Sequence, residues 1–251
     1  MNAVRPAAST ATLLLAGRTL VRFWRSVPMV ISALVFPLLL MVTILAMFGE
    51  LMGGGYVGRL APLIVLSTAT YGMPDSAVGF FRERAGGMLD RLRVLPIPGP
   101  APLLGRVLGD VARIVAVGAI AVAAAHLAGF RFGGGVGATL GFLAVVALFG
   151  AMCTWIAVLV GLYAESEEAA AGTLNGPTTL IFFLSSAFVP LEAFPDVVKP
   201  LVVANPLSFA SEALIALAGG RPAGTPLLVT VIVTVTSSVV CGWLAVRRFR
   251  R

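Results

Sequence analysis

The chain has 251 residues, of which 59% are hydrophobic and only 12% charged, and its mean hydropathy is +1.00. A water-soluble domain of this length needs more charge to cover its surface, so the composition excludes that class and makes a bilayer the solvent. The formal charge of +7 is carried in short basic clusters beside apolar segments, a distribution that suits lipid head groups and topology and excludes a nucleic-acid groove.

Residues 1–26 are the expected cytoplasmic N-terminus. Within them Arg18, Arg22 and Arg25 recur at i, i+4 and i+7, while Leu13, Leu20 and Trp24 fall on another face. The spacing predicts an amphipathic helix from Leu13 to Arg25 lying in the membrane interface.

A membrane-embedded domain is expected over 27–246. A helix needs about 20 apolar residues to cross the hydrocarbon core. Six stretches meet that demand: 27–48, 60–80, 107–130, 136–163, 173–190 and 225–246. The first runs past signal-peptide length and reads as a retained span. Pro37 and Pro74 predict kinks, tolerated where neighbouring helices satisfy the freed carbonyls. The fifth is the shortest and is opened by Asn175, Gly176 and Pro177. A basic tail, 247–251, closes the chain.

With both ends in the cytoplasm, the inner side receives Arg5, Arg18, Arg22, Arg25, Arg82, Arg84, Arg91, Arg93, Arg106, Arg247, Arg248, Arg250 and Arg251. The outer side receives Arg59, Arg131, Lys199 and Arg221, so the count is 13 against 4. That asymmetry follows the positive-inside rule. The inner loop 164–172 carries Glu165, Glu167 and Glu168 and no basic residue, which weighs little because acids contribute little to topology. The glycine-rich pieces 53–55 and 133–137 read as outer connections, and Gly137-x-x-x-Gly141 matches a helix-packing pattern.

Two segments differ from ordinary loops. Residues 81–102 interleave Arg82, Glu83, Arg84, Asp90, Arg91 and Arg93 with Met88, Leu89 and Leu92, until Pro96, Pro98, Pro100 and Pro102 end the pattern. The natural structure is a short cytoplasmic helix with one charged face, suited to a soluble partner. Residues 191–224 are chopped by Pro195, Pro200 and Pro206 into apolar pieces too short to span, which predicts re-entrant or interfacial helices.

These two segments carry a resemblance. Glu83, Arg84, Gly87, Leu89, Asp90, Arg91, Leu92 and Pro96 resemble the Glu–Arg–x–x–Gly–Thr, leucine–acid–arginine–leucine, proline pattern of the ABC-2 permeases, with Met88 in the usual threonine position. Ser185, Phe188, Pro190, Pro195, Asn205 and Pro206 resemble a second series of the same family, especially its daunorubicin-resistance-type subunits from actinobacteria. The resemblance implies an all-α membrane domain of six spans in a bacterial plasma membrane, paired with a second permease subunit and two ATPase subunits. It implies that Glu83, Arg84, Met88, Asp90, Arg91 and Arg93 belong to a coupling helix seated on the ATPase. Phe188, Pro190, Asn205, Pro206 and Glu212 would close an extracellular gate. The second and fifth spans, with Asp75, Asn175, Phe182 and Phe183, would line the path of an amphipathic drug or lipid. ATP and Mg would bind the partner ATPase; no cofactor or metal is expected on this chain.

The remaining residues agree with that expectation. There is no GxxxxGK[ST] loop, and the sole lysine is Lys199, so a Walker-type nucleotide site is excluded. An ion-coupled secondary transporter is the main alternative, but it favours several midplane acids or paired interrupted helices. A membrane enzyme needs clustered ligands or a nucleophile beside a base, and the chain has one histidine. Cys153 and Cys241 lie apart in apolar runs and read as buried small residues. Asp75 follows Pro74 and has three open readings: a polar contact for cationic compounds, a helix cap, or an arginine partner. Asp110 and Arg113 are spaced for an ion pair on one helix face. His126 reads as an interfacial side chain near a span end, and Glu212 as an acceptor for backbone ends at the gate.

Overall fold

The computed structural model describes residues 8–52, 55–94 and 100–249. Arg5, part of the 53–55 connection, Pro96, Pro98, Arg250 and Arg251 lie outside these, as does the side chain of Arg93. The described residues are helical with short connections. In chain order the helices are α1 (Ala8–Arg25), α2 (Val27–Met52), α3 (Tyr56–Thr70), α4 (Gly72–Ala85), α5 (Met88–Arg93) and α6 (Ala101–Leu127). Then follow α7 (Gly135–Tyr163), α8 (Glu167–Phe183), a 3-10 turn at Leu191–Ala193, α9 (Lys199–Ala204), α10 (Pro206–Ala218) and α11 (Gly224–Phe249).

By length and composition, α2, α6, α7 and α11 can each cross a membrane. The other two expected spans take different forms. The second divides at Tyr71 into α3 and α4, although Tyr71 itself keeps helical dihedrals of φ −75° and ψ −13°. Pro74 is the cause: it has no N–H for the Thr70 carbonyl, and its ring crowds that oxygen. At Pro37 the helix continues without interruption. The fifth begins earlier than expected, because Ser166 caps its start by accepting from the Ala169 N–H at 3.0 Å. Glu167 and Glu168 then occupy the first turn, where the helix dipole favours acids. The helix ends at Phe183, so its 17 residues reach only about 25 Å.

α3 is the centre of the molecule. Every residue from Leu60 to Thr70 is buried, packed by α2, α6, α7 and α10. Its hydroxyls are satisfied within the helix, Ser67 donating to the Ile64 carbonyl and Thr68 to the Val65 carbonyl, both at 2.7 Å; that is how polar residues persist in apolar surroundings. A second core joins Phe80, Leu103, Trp155, Val158 and Phe249. α2 and α11 lie at the periphery with Leu39, Val42, Met47, Leu228, Ile232 and Val239 exposed, faces suited to lipid. At the elbow end of the molecule Arg247 stacks on Trp243 at 4.4 Å and Arg248 on Tyr163 at 5.3 Å.

α1 has three faces where the sequence suggested two. Leu13, Leu14, Val21 and Trp24 are exposed, and so are the arginines. A third stripe, including Thr12, Leu15, Ala16 and Thr19, seats on α6 at Gly105 and Gly109. A Cβ at Gly105 would lie 2.6 Å from that of Leu15, and one at Gly109 would lie 2.6 Å from that of Thr19. The close helix contact is therefore at Gly105-x-x-x-Gly109. Gly137 has nothing within 4 Å of a Cβ, and Gly141 meets only Leu217.

Candidate functional site

The elbow after α4 begins where Gly86 and Gly87 end the helix. Gly87 takes the left-handed conformation, φ 68°, which a glycine adopts without a steric penalty. α5 then leaves at a new angle, and its first-turn Asp90 and the following Arg91 are exposed. Arg93 is helical.

The residues just before the turn face inward. Glu83 is 15% exposed and its Oε1 accepts from Arg106 at 3.0 Å and Arg22 at 3.3 Å. Arg106 also reaches Asp110 at 3.2 Å, and Asp110 accepts from the Ser76 hydroxyl and lies 3.7 Å from Arg113. One chain of charges thus links α1, α4 and α6. The Asp110–Arg113 pair expected from spacing is present, as one link of this larger network. Arg84 donates to the carbonyls of Leu162 and Ala164, satisfying the open end of α7. Met88 accepts a contact from Arg18 at 3.2 Å from Sδ. Arg82 bonds Glu167 at 2.5 Å, and that hydrogen bond holds the Glu167 carboxyl below its ordinary value and raises the Arg82 guanidinium.

Beside this network lies a cavity of about 440 Å³ between α1, α2, α4 and α6, bordered by Asp75, Ser76, Arg106, Asp110 and Arg113. A second, of about 240 Å³, adjoins it and shares Ser32, Ala33, Asp75 and Arg113. Phe36 and Tyr71 line the second cavity and begin an aromatic series. Ring centroids are 4.7 Å apart for Phe36–Tyr71, 5.3 Å for Tyr71–Phe182, 5.9 Å for Phe182–Phe188 and 5.4 Å for Phe183–Phe188. Phe182 is buried and Phe183 exposed, and Asn175 lies exposed on α8, outside both cavities.

At the opposite end the 185–214 segment is tied by single hydrogen bonds, most of them to backbone groups. Asn205 is 6% exposed and performs two tasks. Its amide donates to the carbonyls of Ile181 and Leu184 at 2.6 and 2.9 Å, closing the end of α8. Its side-chain oxygen accepts from the Leu207 N–H at 2.9 Å, capping α10, whose first residue is Pro206. Pro at the first helical position loses no hydrogen bond. Phe188 receives the Tyr56 hydroxyl on its carbonyl at 3.3 Å, and Arg59 donates to the Ser186 carbonyl at 3.2 Å. Pro190 precedes the 3-10 turn. Glu212 accepts from the Ser186 hydroxyl at 2.9 Å, where sequence suggested a backbone partner; the Ser186 N–H goes to Ser208 instead. α10 is buried against α3, α7 and α11, and its 13 residues span about 20 Å, short of the core thickness.

His126 packs edge-on to Phe130 with centroids 5.6 Å apart. No cluster of metal-binding side chains occurs among the described residues. Sequence placed Arg22 only on the arginine face of α1 and among the topology charges, Arg59 and Arg106 only among the topology charges, and did not single out Ser76 or Ser208. Apart from Arg106–Asp110 their partners lie far along the chain, and neither periodicity nor local motif reports such pairs.

The family described as ABC-2 type transporter matches residues 10–218. The "Probable doxorubicin resistance ABC transporter permease protein DrrC" of Mycobacterium tuberculosis is 31% identical over 236 residues, covering 92% of this chain and 84% of that protein. The "Daunorubicin resistance ABC transporter permease protein DrrB1" of Streptomyces coeruleorubidus is 30% identical over 223 residues, 83% of this chain and 76% of that protein.

Proposed function

The chain belongs to the ABC-2 type transporter family, and from that premise we propose that it is the membrane half of an ATP-driven exporter whose motor is a separate ATPase subunit. The observation that carries this reading is the elbow: α5 seats Leu89 in the second core and turns Asp90 and Arg91 outward, while Glu83 and Arg84 root it in α1, α6 and α7. A push on α5 is thereby delivered to the charges bordering the cavity. In this reading Asp90, Arg91 and Arg93 meet the ATPase, while Glu83, Arg84 and Met88 hold the lever. The six crossings comprise α2, the kinked α3–α4 rod, α6, α7, α8 with the residues after it, and α11, with α9 and α10 re-entrant and both termini cytoplasmic. A second permease subunit completes the pathway, ATP and Mg reside on the ATPase, and the cargo is an amphipathic drug or lipid. The coupling segment and the gate keep the bounds 81–102 and 191–224.

Co-purification tests the motor. The permease is expected to retain an ATPase subunit, and Arg91→Glu to abolish that retention and transport while leaving membrane insertion intact. Normal transport by Arg91→Glu, or labelling of a cysteine placed at Gly86 from outside intact cells, would falsify the coupling assignment.

A further inference from the structure

Six charged side chains border the larger cavity, and four of them are matched by hydrogen-bonded partners. Arg22 is matched by Glu83, Arg82 by Glu167, Arg106 by Glu83 and Asp110, and Asp110 by Arg106 and Ser76. Arg113 and Asp75 are the remainder. Arg113 sits at the middle of α6, its side chain 12% exposed. Its Nε lies 3.7 Å from Asp110 at the edge of pairing distance, and its guanidinium is 5.4 Å from the Phe23 ring. Its terminal nitrogens donate no hydrogen bond among the described residues. They rest against Gly72, where a Cβ would stand 3.2 Å from Nη2. Asp75 follows one turn later on the same face of α4. It has no hydrogen bond or ion pair among the described residues; it feels the positive charge of Arg82, whose own hydrogen bond goes to Glu167.

Two charges of opposite sign therefore face the space shared by both cavities without a hydrogen-bonded partner among the described residues, Arg113 being held only by its long pair with Asp110, and the adjoining wall is Phe36, Tyr71, Ile114 and Val117. A charge so weakly partnered at the middle of a membrane helix, as Arg113 is, is costly and marks a ligand path. A purely anionic ligand on Arg113 is repelled by Asp75, and a purely cationic one on Asp75 is repelled by Arg113. We infer that the paired cavities bind a zwitterionic amphipath, its acid group on Arg113, its amine on Asp75 and its apolar body along the aromatic wall. The charges of its head stand about one helical turn apart, ~5 Å. This rests on the exporter reading and names the class of compound that the site recognises.

The test reads binding on purified permease by native mass spectrometry, without the ATPase. The probes are a lysophosphatidylethanolamine, a lysophosphatidic acid and an alkylamine of equal chain length, with chainless phosphoethanolamine as a fourth. The zwitterionic lysolipid is expected to bind about tenfold more tightly than either the purely anionic or the purely cationic probe. Asp75→Asn is expected to erase its advantage over lysophosphatidic acid, and Arg113→Gln its advantage over the alkylamine. Asp75 has no hydrogen-bond or ion-pair partner among the described residues, so its variant carries the test even where Arg113→Gln fails to fold. Comparable binding of chainless phosphoethanolamine assigns a water-soluble source, and binding of the lysolipid alone assigns the bilayer. Equal affinity for all charged probes, or an unchanged order in Asp75→Asn, overturns the site. Intact selectivity without transport would overturn only the exporter reading.

Discussion

At one end of the molecule α1, α4 and α6 meet through ion pairs; at the other, α3, α8 and α10 meet through single hydrogen bonds, most of them between a side chain and a backbone group. The difference follows from what each end must satisfy. Near Asn205 the chain is broken by prolines, so helix ends expose carbonyls and N–H groups that apolar surroundings do not solvate. Side chains close those ends one by one. Near Glu83 charged side chains fix how α1, α4 and α6 lie against each other, and Arg84 closes the end of α7. One carboxylate serves both Arg22 and Arg106, an arrangement in which a partner can be exchanged without exposing backbone. The first device ties down a loop, and the second joins three helices beside a cavity.

The comparison breaks most sharply at Asp110. Asp110→Ala removes the carboxylate that balances Arg106 and Arg113, and the expected loss is about 3–5 kcal/mol, as for a buried pair deprived of one member. Thermal unfolding in detergent measures it, and an unchanged melting temperature would show that the network contributes no stability. Asn205→Ala ranks second, with an expected loss of about 1–3 kcal/mol for carbonyls and an N–H left unpaired. Asn205→Asp sharpens the point: a carboxylate still accepts from the Leu207 N–H but cannot donate to Ile181 or Leu184. It should destabilise at least as much as alanine, and full stability with aspartate would refute the two-sided cap.

The smallest effect is expected at Arg82–Glu167, which is ionic yet about half exposed to solvent. Glu167→Gln should leave the melting temperature unchanged, because solvent screens exposed pairs. Its pH dependence has a definite sign. The Glu167 carboxyl is held below its ordinary value in the folded chain, so the pair's contribution is constant above the unfolded carboxylate range and is lost only as pH falls through the lowered folded value. A change in the Glu167 contribution between pH 6 and 8 would contradict this assignment (both values lie well above the carboxylate range of about 4).

Much of this architecture was legible in one dimension. The arginine spacing in residues 18–25 announced α1, and the interleaved residues after Phe81 announced the elbow. Asn205–Pro206 read correctly as a break with consequences. The hidden parts are the pairings. Arg22 and Glu83 are 61 residues apart, and Asn205 and Ile181 are 24 apart. The seat of α1 on Gly105 and Gly109 was equally hidden, because in a chain with 28 glycines spacing alone does not say which ones a neighbouring helix touches.

The sequence alone determined the solvent, the helical class and the family, since hydropathy, proline placement and local motifs are properties of contiguous residues. Tertiary structure decided which charges neutralise each other and which two keep no hydrogen-bonded partner among the described residues. In a low-dielectric interior that outcome depends on distances of a few ångströms between helices, and those distances exist only once the helices have packed.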